Sequence, residues 1–535
     1  MQKHLLLGDE AIAQAAIDAG LSGIYAYPGT PSTEITEYVQ KSKEAKEKNI
    51  RANWSTNEKT AMEAALGMSY AGKRTMVCMK HVGLNVAADA FINSAITGAN
   101  GGLIVVSADD PSMHSSQNEQ DSRFYGKFAQ IPVLEPVDQQ EAYNMVHYGF
   151  DISERFKIPV MIRITTRLAH SRAGVVLAEE KRVQNKMALP ADATQFVLLP
   201  SIARKNYKAL LSNQANFEIA SEESDFNTYM DGADRSMGII TSGIAYNYLM
   251  ENYSEDVVPY PVLKIGQYPL PRKDIKKIYD DCETLLILEE GYPIIEESLR
   301  GYLDSGKKIL GRMDGTLTFE GELNPVKVRK ALGMEIAVSR ELPDIVVGRP
   351  PVLCAGCPHI DSYKAINEVI ESYTKGRVFS DIGCYTLGAL PPFNAINTCV
   401  DMGASITMAK GAADAGLAPA IAVIGDSTFT HSGITGLIDV VNDKSNVKLF
   451  ILDNDTTAMT GGQNSAAVGA RLEDICKGIG VKEEHIRVLR PLKKFHEENV
   501  QAIHEEMAYE GVSVIIPRRE CIVVIDQRMR EKFKN

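Results

Sequence analysis

Short apolar, β-branched runs alternate along this chain with stretches of helical period, and that alternation restricts the possible folds more than any other feature. From residue 1 to about 175 the runs are GIYAYP, RANWST, RTMVCMK, GLIVVSAD and PVMIRIT, with EITEYVQKSKEAK, EKTAMEAALGMSYAG and QEAYNMVHYGFDISERF between them. Such alternation predicts a parallel sheet with helices on both faces. The stretch from 176 to 234 is polar and reads as an irregular connector. A second α/β unit then runs through SMGIITSG, PYPVLKIG and TLLILEEG. ELPDIVVGRPPV reads as a linker into a third unit, which carries the densest chemistry. The predicted fold class is α/β, with several doubly wound parallel-sheet domains. Their expected bounds are 1–175, a connector 176–234, 235–345 and 346–535.

The 535 residues suffice for roughly three to four ordinary domains. With 44% hydrophobic and 24% charged residues, the composition is that of a folded protein. A net charge of -12 argues against non-specific nucleic-acid binding, because no surplus of Lys and Arg exists to neutralise phosphates. No run of about eighteen apolar residues occurs, and MQKHLLLGDEAIAQAA has no cleavage pattern. No membrane association is expected, and the expected location is cytoplasmic. The eight Cys then read as free thiols or metal ligands rather than as disulfides.

In AIAVIGDSTFTHSGITGLIDVV a strand ends at Gly425-Asp426-Ser427, and a helix is predicted from about Ser432. In KLFILDNDTTAMTGGQ a second strand ends at Asp453-Asn454-Asp455-Thr456. A right-handed crossover makes the two strands parallel, so both carboxyl ends open on one sheet edge, where ligands of such sheets sit. A carboxylate, an amide oxygen and a backbone carbonyl converging there form a hard oxygen set suited to Mg²⁺ with two phosphate oxygens and water. Gly461-Gly462 lets backbone approach a diphosphate closely. Taken alone, Gly-Asp-Ser also fits an ordinary strand-to-helix turn with Asp426 as a cap.

Gly-Asp-x followed at this interval by Asn resembles the signature of thiamine-diphosphate enzymes, although Ser427 stands where Gly is commoner. The resemblance implies a pyrimidine domain at 1–175, a transketolase C-terminal-like domain at 235–345 and a diphosphate domain at 346–535. It implies that Asp426 and Asn454 ligate Mg²⁺ through their side chains and Thr456 through its carbonyl. Gly383, Gly425, Ser427 and Gly461 would lie against the cofactor. Glu58 in WSTNEKTAMEAALGMSYAG matches the glutamate that sits beside the aminopyrimidine ring, in a different domain from the diphosphate. By itself Glu58 is also an ordinary acid at a helix N-terminus.

Tyr27-Pro28-Gly29-Thr30-Pro31 resembles the Tyr-Pro-x-Thr-Pro turn of 2-oxoacid:ferredoxin oxidoreductases, which implies that Thr30 holds the substrate's carboxylate and carbonyl end. A turn and helix cap is the plainer alternative. KHVGLN and DDPSMHSSQNEQDSR match the aryl-specific branch, with His81 a candidate proton or hydrogen-bond donor. A lone His is more often structural.

Cys354-Ala355-Gly356-Cys357-Pro358, Cys384 in SDIGCYTLGALPP, and Cys521 match four cysteines that ligate a 4Fe–4S cluster in pyruvate:ferredoxin oxidoreductases. Zinc or reduced thiols are the alternatives. Cys78, Cys282, Cys399 and Cys476 lack such partners and read as core or surface thiols.

Over nearly its whole length the sequence resembles the large (alpha) subunits of indolepyruvate:ferredoxin oxidoreductases. That resemblance implies oxidative decarboxylation of an aryl-2-oxoacid to its acyl-CoA and CO2, with electrons passing to ferredoxin. It implies thiamine diphosphate, Mg²⁺ and one 4Fe–4S cluster as cofactors. It also implies coenzyme A as co-substrate and a smaller beta subunit in a hetero-oligomer of two copies each. Those large subunits usually carry a further ferredoxin-like domain, whereas only a short charged tail follows Cys521. Electrons are therefore expected to leave from the single cluster to a soluble ferredoxin or a separate iron–sulfur subunit. The alternatives are a non-oxidative decarboxylase or carboligase, and a silent cofactor-binding subunit, against which an intact Glu58, Asp426 and Asn454 speak.

Overall fold

Along the strand Thr75–Lys80, Met76 and Cys78 enter one apolar cluster while Val77 and Met79 enter another. Successive side chains of a strand point to opposite faces, so both faces of this sheet are buried, as a parallel sheet covered by helices requires. The computed structural model describes residues 3–190, 195–253, 257–301, 306–318, 321–336, 343–348, 352–373, 377–399 and 401–532. The chain divides into two compact units, Met1–Arg340 and Glu341–Asn535. The expected linker ELPDIVVGRPPV lies in part outside the described residues.

The main sheet of the first unit has the spatial order Gln267–Tyr268, Val133–Leu134, Val160–Thr165, Leu103–Asp109, Thr75–Lys80, Gly23–Ala26, Arg51–Trp54. Only Gln267–Tyr268 runs antiparallel to its neighbour. From Gly23–Ala26 the chain first adds Arg51–Trp54 on one side and then Thr75–Lys80 on the other. The order therefore reverses at Gly23–Ala26, and a crevice opens beyond the carboxyl ends of these strands. Lys3–Leu7 pairs antiparallel with Arg172–Val176 and ties the start of the chain to the end of this sheet's run.

A second sheet of the same unit has the order Lys308–Leu310, Thr284–Leu288, Met237–Ser242, Val262–Ile265, Thr228–Met230. Its last strand and a helix, Pro200–Glu222, fall in the stretch expected to be an irregular connector. The helix escapes a periodicity search because it buries only Leu210, Phe217, Ala220 and Ser221 over 23 residues. Pro200 at its first position was the available signal.

Buried charges join the two sheets of this unit. Arg163 reaches Asp109 and Glu135, each at 2.7 Å, and Arg123 reaches Asp121 at 2.5 Å and Glu289 at 3.1 Å. Burial pushes the carboxyls of Glu289 and Glu290 up to about 7. Removing one partner of a buried pair leaves an uncompensated charge and costs about 3–5 kcal/mol, so this network fixes the sheets against each other.

The second unit carries a parallel sheet of order Val378–Ser380, Ala420–Gly425, Val447–Leu452, Ser513–Pro517, Ile486–Leu489. All six residues of Ala420–Gly425 and of Val447–Leu452 are buried. Among the described residues no helix is long and apolar enough to cross a membrane.

Candidate functional site

In the second unit the register pairs Gly425 with Leu452, so the loops that follow leave the same edge of the sheet. The helix starts directly at Asp426 rather than at the expected Ser432. It passes through a π-turn, Phe429–Gly433, and continues as Ile434–Asn442. Such π-turns inside helices gather at functional sites. Gly425 is required by its neighbour, since a Cβ there would come within 2.7 Å of the Tyr385 ring.

Asp426 is 2% exposed, and its Oδ2 accepts no hydrogen bond. Burial, reinforced by Asp453 and Asp455, holds its carboxyl well above the usual carboxylate range. Asp453 is already engaged by Arg518 at 2.6 Å and by the Gly469 N–H at 3.1 Å. An orphaned carboxylate oxygen among three acids is the electrostatic setting that a divalent cation relieves.

Asn454 and Thr456 are buried in the facing loop. The Asn454 Oδ1 lies 3.3 Å from the Thr456 N–H, and its Nδ2 lies 3.3 Å from His359 Nε2. Asp455 between them adopts φ 64°, a left-handed conformation that few non-glycine residues take. Gly461 at φ 119° and Gly462 at φ 86° turn the loop back, and Thr457 N–H donates to the Gln463 carbonyl at 2.8 Å. The Ser427 and Thr457 hydroxyls, 2.8 Å apart, tie the two loops together. Gly383 precedes the turn Cys384–Ala389, and a Cβ on it would strike the Tyr385 ring at 2.3 Å.

The four expected cluster cysteines gather at this edge as well. Burial pushes the Cys384 thiol up to about 12, with Cys357, Cys521 and Cys354 all close enough to add to the shift. Burial likewise pushes Cys357 up to about 11, although its sulfur accepts the His359 N–H. The Cys521 N–H donates to the Asn454 carbonyl at 3.0 Å. Arg519 braces the Cys354–Cys357 turn through the Gly356 carbonyl. Cys78, Cys282 and Cys476 are buried and Cys399 is exposed, as core and surface thiols should be.

In the first unit, residues gather at the crevice where the strand order reverses. Glu58 is 5% exposed and is the first residue of the helix Glu58–Tyr70, which Asn57 caps. It packs on Gly83, where a Cβ would lie 2.5 Å from the Glu58 carboxylate oxygen. Lys80 closes the preceding strand. Burial lowers its pKa against the opposing pull of Asp110 and Glu58. The Lys80 side chain also packs on Gly29, in the turn that carries Thr30, and Ser115 Oγ donates to the Thr30 carbonyl at 3.3 Å. Sequence reasoning left Lys80 and Asp110 without roles, although both lie in stretches it singled out.

His81 is buried, with Nε2 3.2 Å from both the carbonyl and the Oδ1 of Asn118. Two acceptors at Nε2 assign the proton there and leave Nδ1, which has no partner, as an acceptor. A donor role at Nδ1 therefore requires the imidazolium. Gly83→Ala should push the Glu58 carboxylate aside, and on the expected role of Glu58 beside the cofactor ring this would lower turnover about 100-fold, as a misplacement of about 1 Å does. Cofactor affinity should stay within a few-fold, which steady-state kinetics and calorimetry on one preparation would check.

Residues 14–221 match the family described as pyruvate flavodoxin/ferredoxin oxidoreductase, thiamine diP-bdg, and residues 381–516 match the C-terminal TPP-binding domain of thiamine pyrophosphate enzymes. Fold, domains and sequence relatives together define a thiamine-diphosphate-dependent 2-oxoacid:ferredoxin oxidoreductase. The indolepyruvate oxidoreductase subunit IorA of Archaeoglobus fulgidus is 38% identical, over 100% of this chain and 89% of its own length. The IorA subunit of Thermococcus kodakarensis is 38% identical over 99% and 88%. The chain belongs to the IorA family. The 2-oxoglutarate synthase subunit KorA of Methanothermobacter thermautotrophicus is more distant, 23% identical over 37% of this chain and 53% of its own.

Proposed function

We propose that this chain oxidatively decarboxylates aryl-2-oxoacids such as indolepyruvate to acyl-CoA and CO2 and passes the electrons through one 4Fe–4S cluster to ferredoxin. The name shared by the IorA relatives, indolepyruvate oxidoreductase subunit, supports an indolepyruvate-type substrate and a partner subunit. That partner would be the smaller subunit of a cytoplasmic hetero-oligomer. The observation that carries the oxidative reading is the convergence of Cys354, Cys357, Cys384 and Cys521 on the edge that also bears Asp426 and Asn454.

Thiamine diphosphate, when bound, would supply the carbon nucleophile that decarboxylation of a 2-oxoacid needs. Asp426 and Asn454 would hold Mg²⁺ through side-chain oxygens and Thr456 through its carbonyl. The backbones of Gly383, Gly425, Ser427 and Gly461 line the diphosphate. Glu58 exchanges a proton at the aminopyrimidine ring, and Lys80 and Asp110 set the field around it. Thr30 holds the substrate's polar end, and His81 joins it as a donor only in its doubly protonated form.

For the cluster, the donor set is all sulfur. A four-thiolate set of this kind suits a 4Fe–4S cluster.

The experiment is anaerobic purification with iron and thiamine analysis, then electron paramagnetic resonance after adding indolepyruvate and coenzyme A. Appearance of the paramagnetic signal of a reduced 4Fe–4S cluster on adding both is the expected outcome. Iron-free protein that makes aldehyde would instead establish the non-oxidative decarboxylase. Cys384→Ser should bleach the visible absorption of the cluster, and an unchanged spectrum would reassign that thiol.

A further inference from the structure

Asp9 is fully buried, and neither of its carboxylate oxygens accepts a hydrogen bond. A buried carboxylate without a partner is costly and calls for an explanation. Helix capping does not provide one, because Glu10 takes the Leu7 N–H at 2.9 Å and also pairs with Arg172 at 2.8 Å. No Lys or Arg at ion-pairing distance faces Asp9 from its own helix or its neighbours' among the described residues.

Asp9 instead meets Glu34 and His170. One ligand atom from each lies within 4.8 Å of the other two. Glu34 Oε2 is paired with His170 Nε2 at 3.5 Å, and that imidazole holds the Glu34 carboxyl below the usual carboxylate range. Asp9 and Glu34 sit in the first turns of the helices Gly8–Asp18 and Thr33–Lys41, and His170 ends the helix Thr166–His170. The helix dipole favours an acid at each N-terminus, but it does not aim two carboxylates at each other and at an imidazole.

We propose that Asp9, Glu34 and His170 bind a divalent transition-metal ion of the zinc or manganese class. Two carboxylates and one imidazole form a mixed oxygen–nitrogen set suited to such ions, and they neutralise its charge. The His170 side chain is 35% exposed and opens the site to solvent, while Asp9 forms its buried floor. The ion would tie the starts of the two helices to the end of a third. One of those helices follows the turn that carries Thr30, so the ion would stiffen that turn without touching it.

The test is a manganese titration of the whole protein kept saturated with thiamine diphosphate and magnesium, with free Mn²⁺ counted by electron paramagnetic resonance. Manganese prefers oxygen and nitrogen donors, which keeps it off the thiols. Wild type should take up one equivalent more than His170→Ala or Asp9→Asn, and added Mn²⁺ should raise the melting temperature of wild type alone. His170→Ala alters an exposed side chain, so its fold, checked by circular dichroism, keeps the test valid even where Asp9→Asn does not fold. Equal uptake by wild type and folded His170→Ala would overturn the proposal and leave Asp9 and Glu34 sharing a proton.

Discussion

Asp426→Ala is expected to yield a folded protein that no longer retains thiamine diphosphate and has no measurable turnover. The carboxylate is desolvated, flanked by Asp453 and Asp455, and has one oxygen without a partner. Without an ion the group burdens the fold, so its removal should leave the cofactor-free melting temperature unchanged or raise it. With cofactor the sign reverses. A ligand present at 100 times its Kd stabilises a protein by about 2.7 kcal/mol, and the variant should lose that entire increment. Thermal denaturation of both proteins, with and without thiamine diphosphate and magnesium, separates the two effects. Wild-type retention of the cofactor by the alanine variant would remove Asp426 from the site.

Glu58→Gln is expected to do the opposite, keeping the cofactor and losing the chemistry. Glutamine preserves the shape against Gly83 but cannot exchange a proton, and a positioned acid or base contributes about 10²–10⁴-fold in rate. The measurement is single-turnover consumption of 2-oxoacid at saturating cofactor, beside a direct binding titration. A variant turning over at the wild-type rate would leave the acid at this ring unassigned. Gly83→Ala supplies the control, since it keeps the carboxyl group and disturbs only its place.

The sheets were legible because their strands are uniformly apolar. RTMVCMK, GLIVVSAD and AIAVIG could be little other than buried parallel strands, and Asp426 and Asn454 follow from where such strands end. Local chemistry was harder to read. The helix begins at Asp426 rather than Ser432 because tertiary packing sustains the Thr-rich segment that its weak helix propensity argues against. The helix Pro200–Glu222 was missed because a nearly solvated helix shows no apolar stripe. The pairing of Arg123 and Arg163 with Asp121, Asp109 and Glu135, and the meeting of Asp9 with Glu34 and His170, arise from tertiary folding over separations that no local pattern records.

The 3.0 Å hydrogen bond from the Cys521 amide to the Asn454 carbonyl makes one stretch of backbone answer to two masters. On the proposed roles of Cys521 and Asn454, oxygen attack on the cluster would slacken the loop proposed to clasp the coenzyme's tail. Inactivation in air should therefore proceed as paired losses, of iron and of vitamin, rather than as a simple bleaching. An enzyme of this design would need its coenzyme replenished, as well as its iron and sulfide, before activity returned.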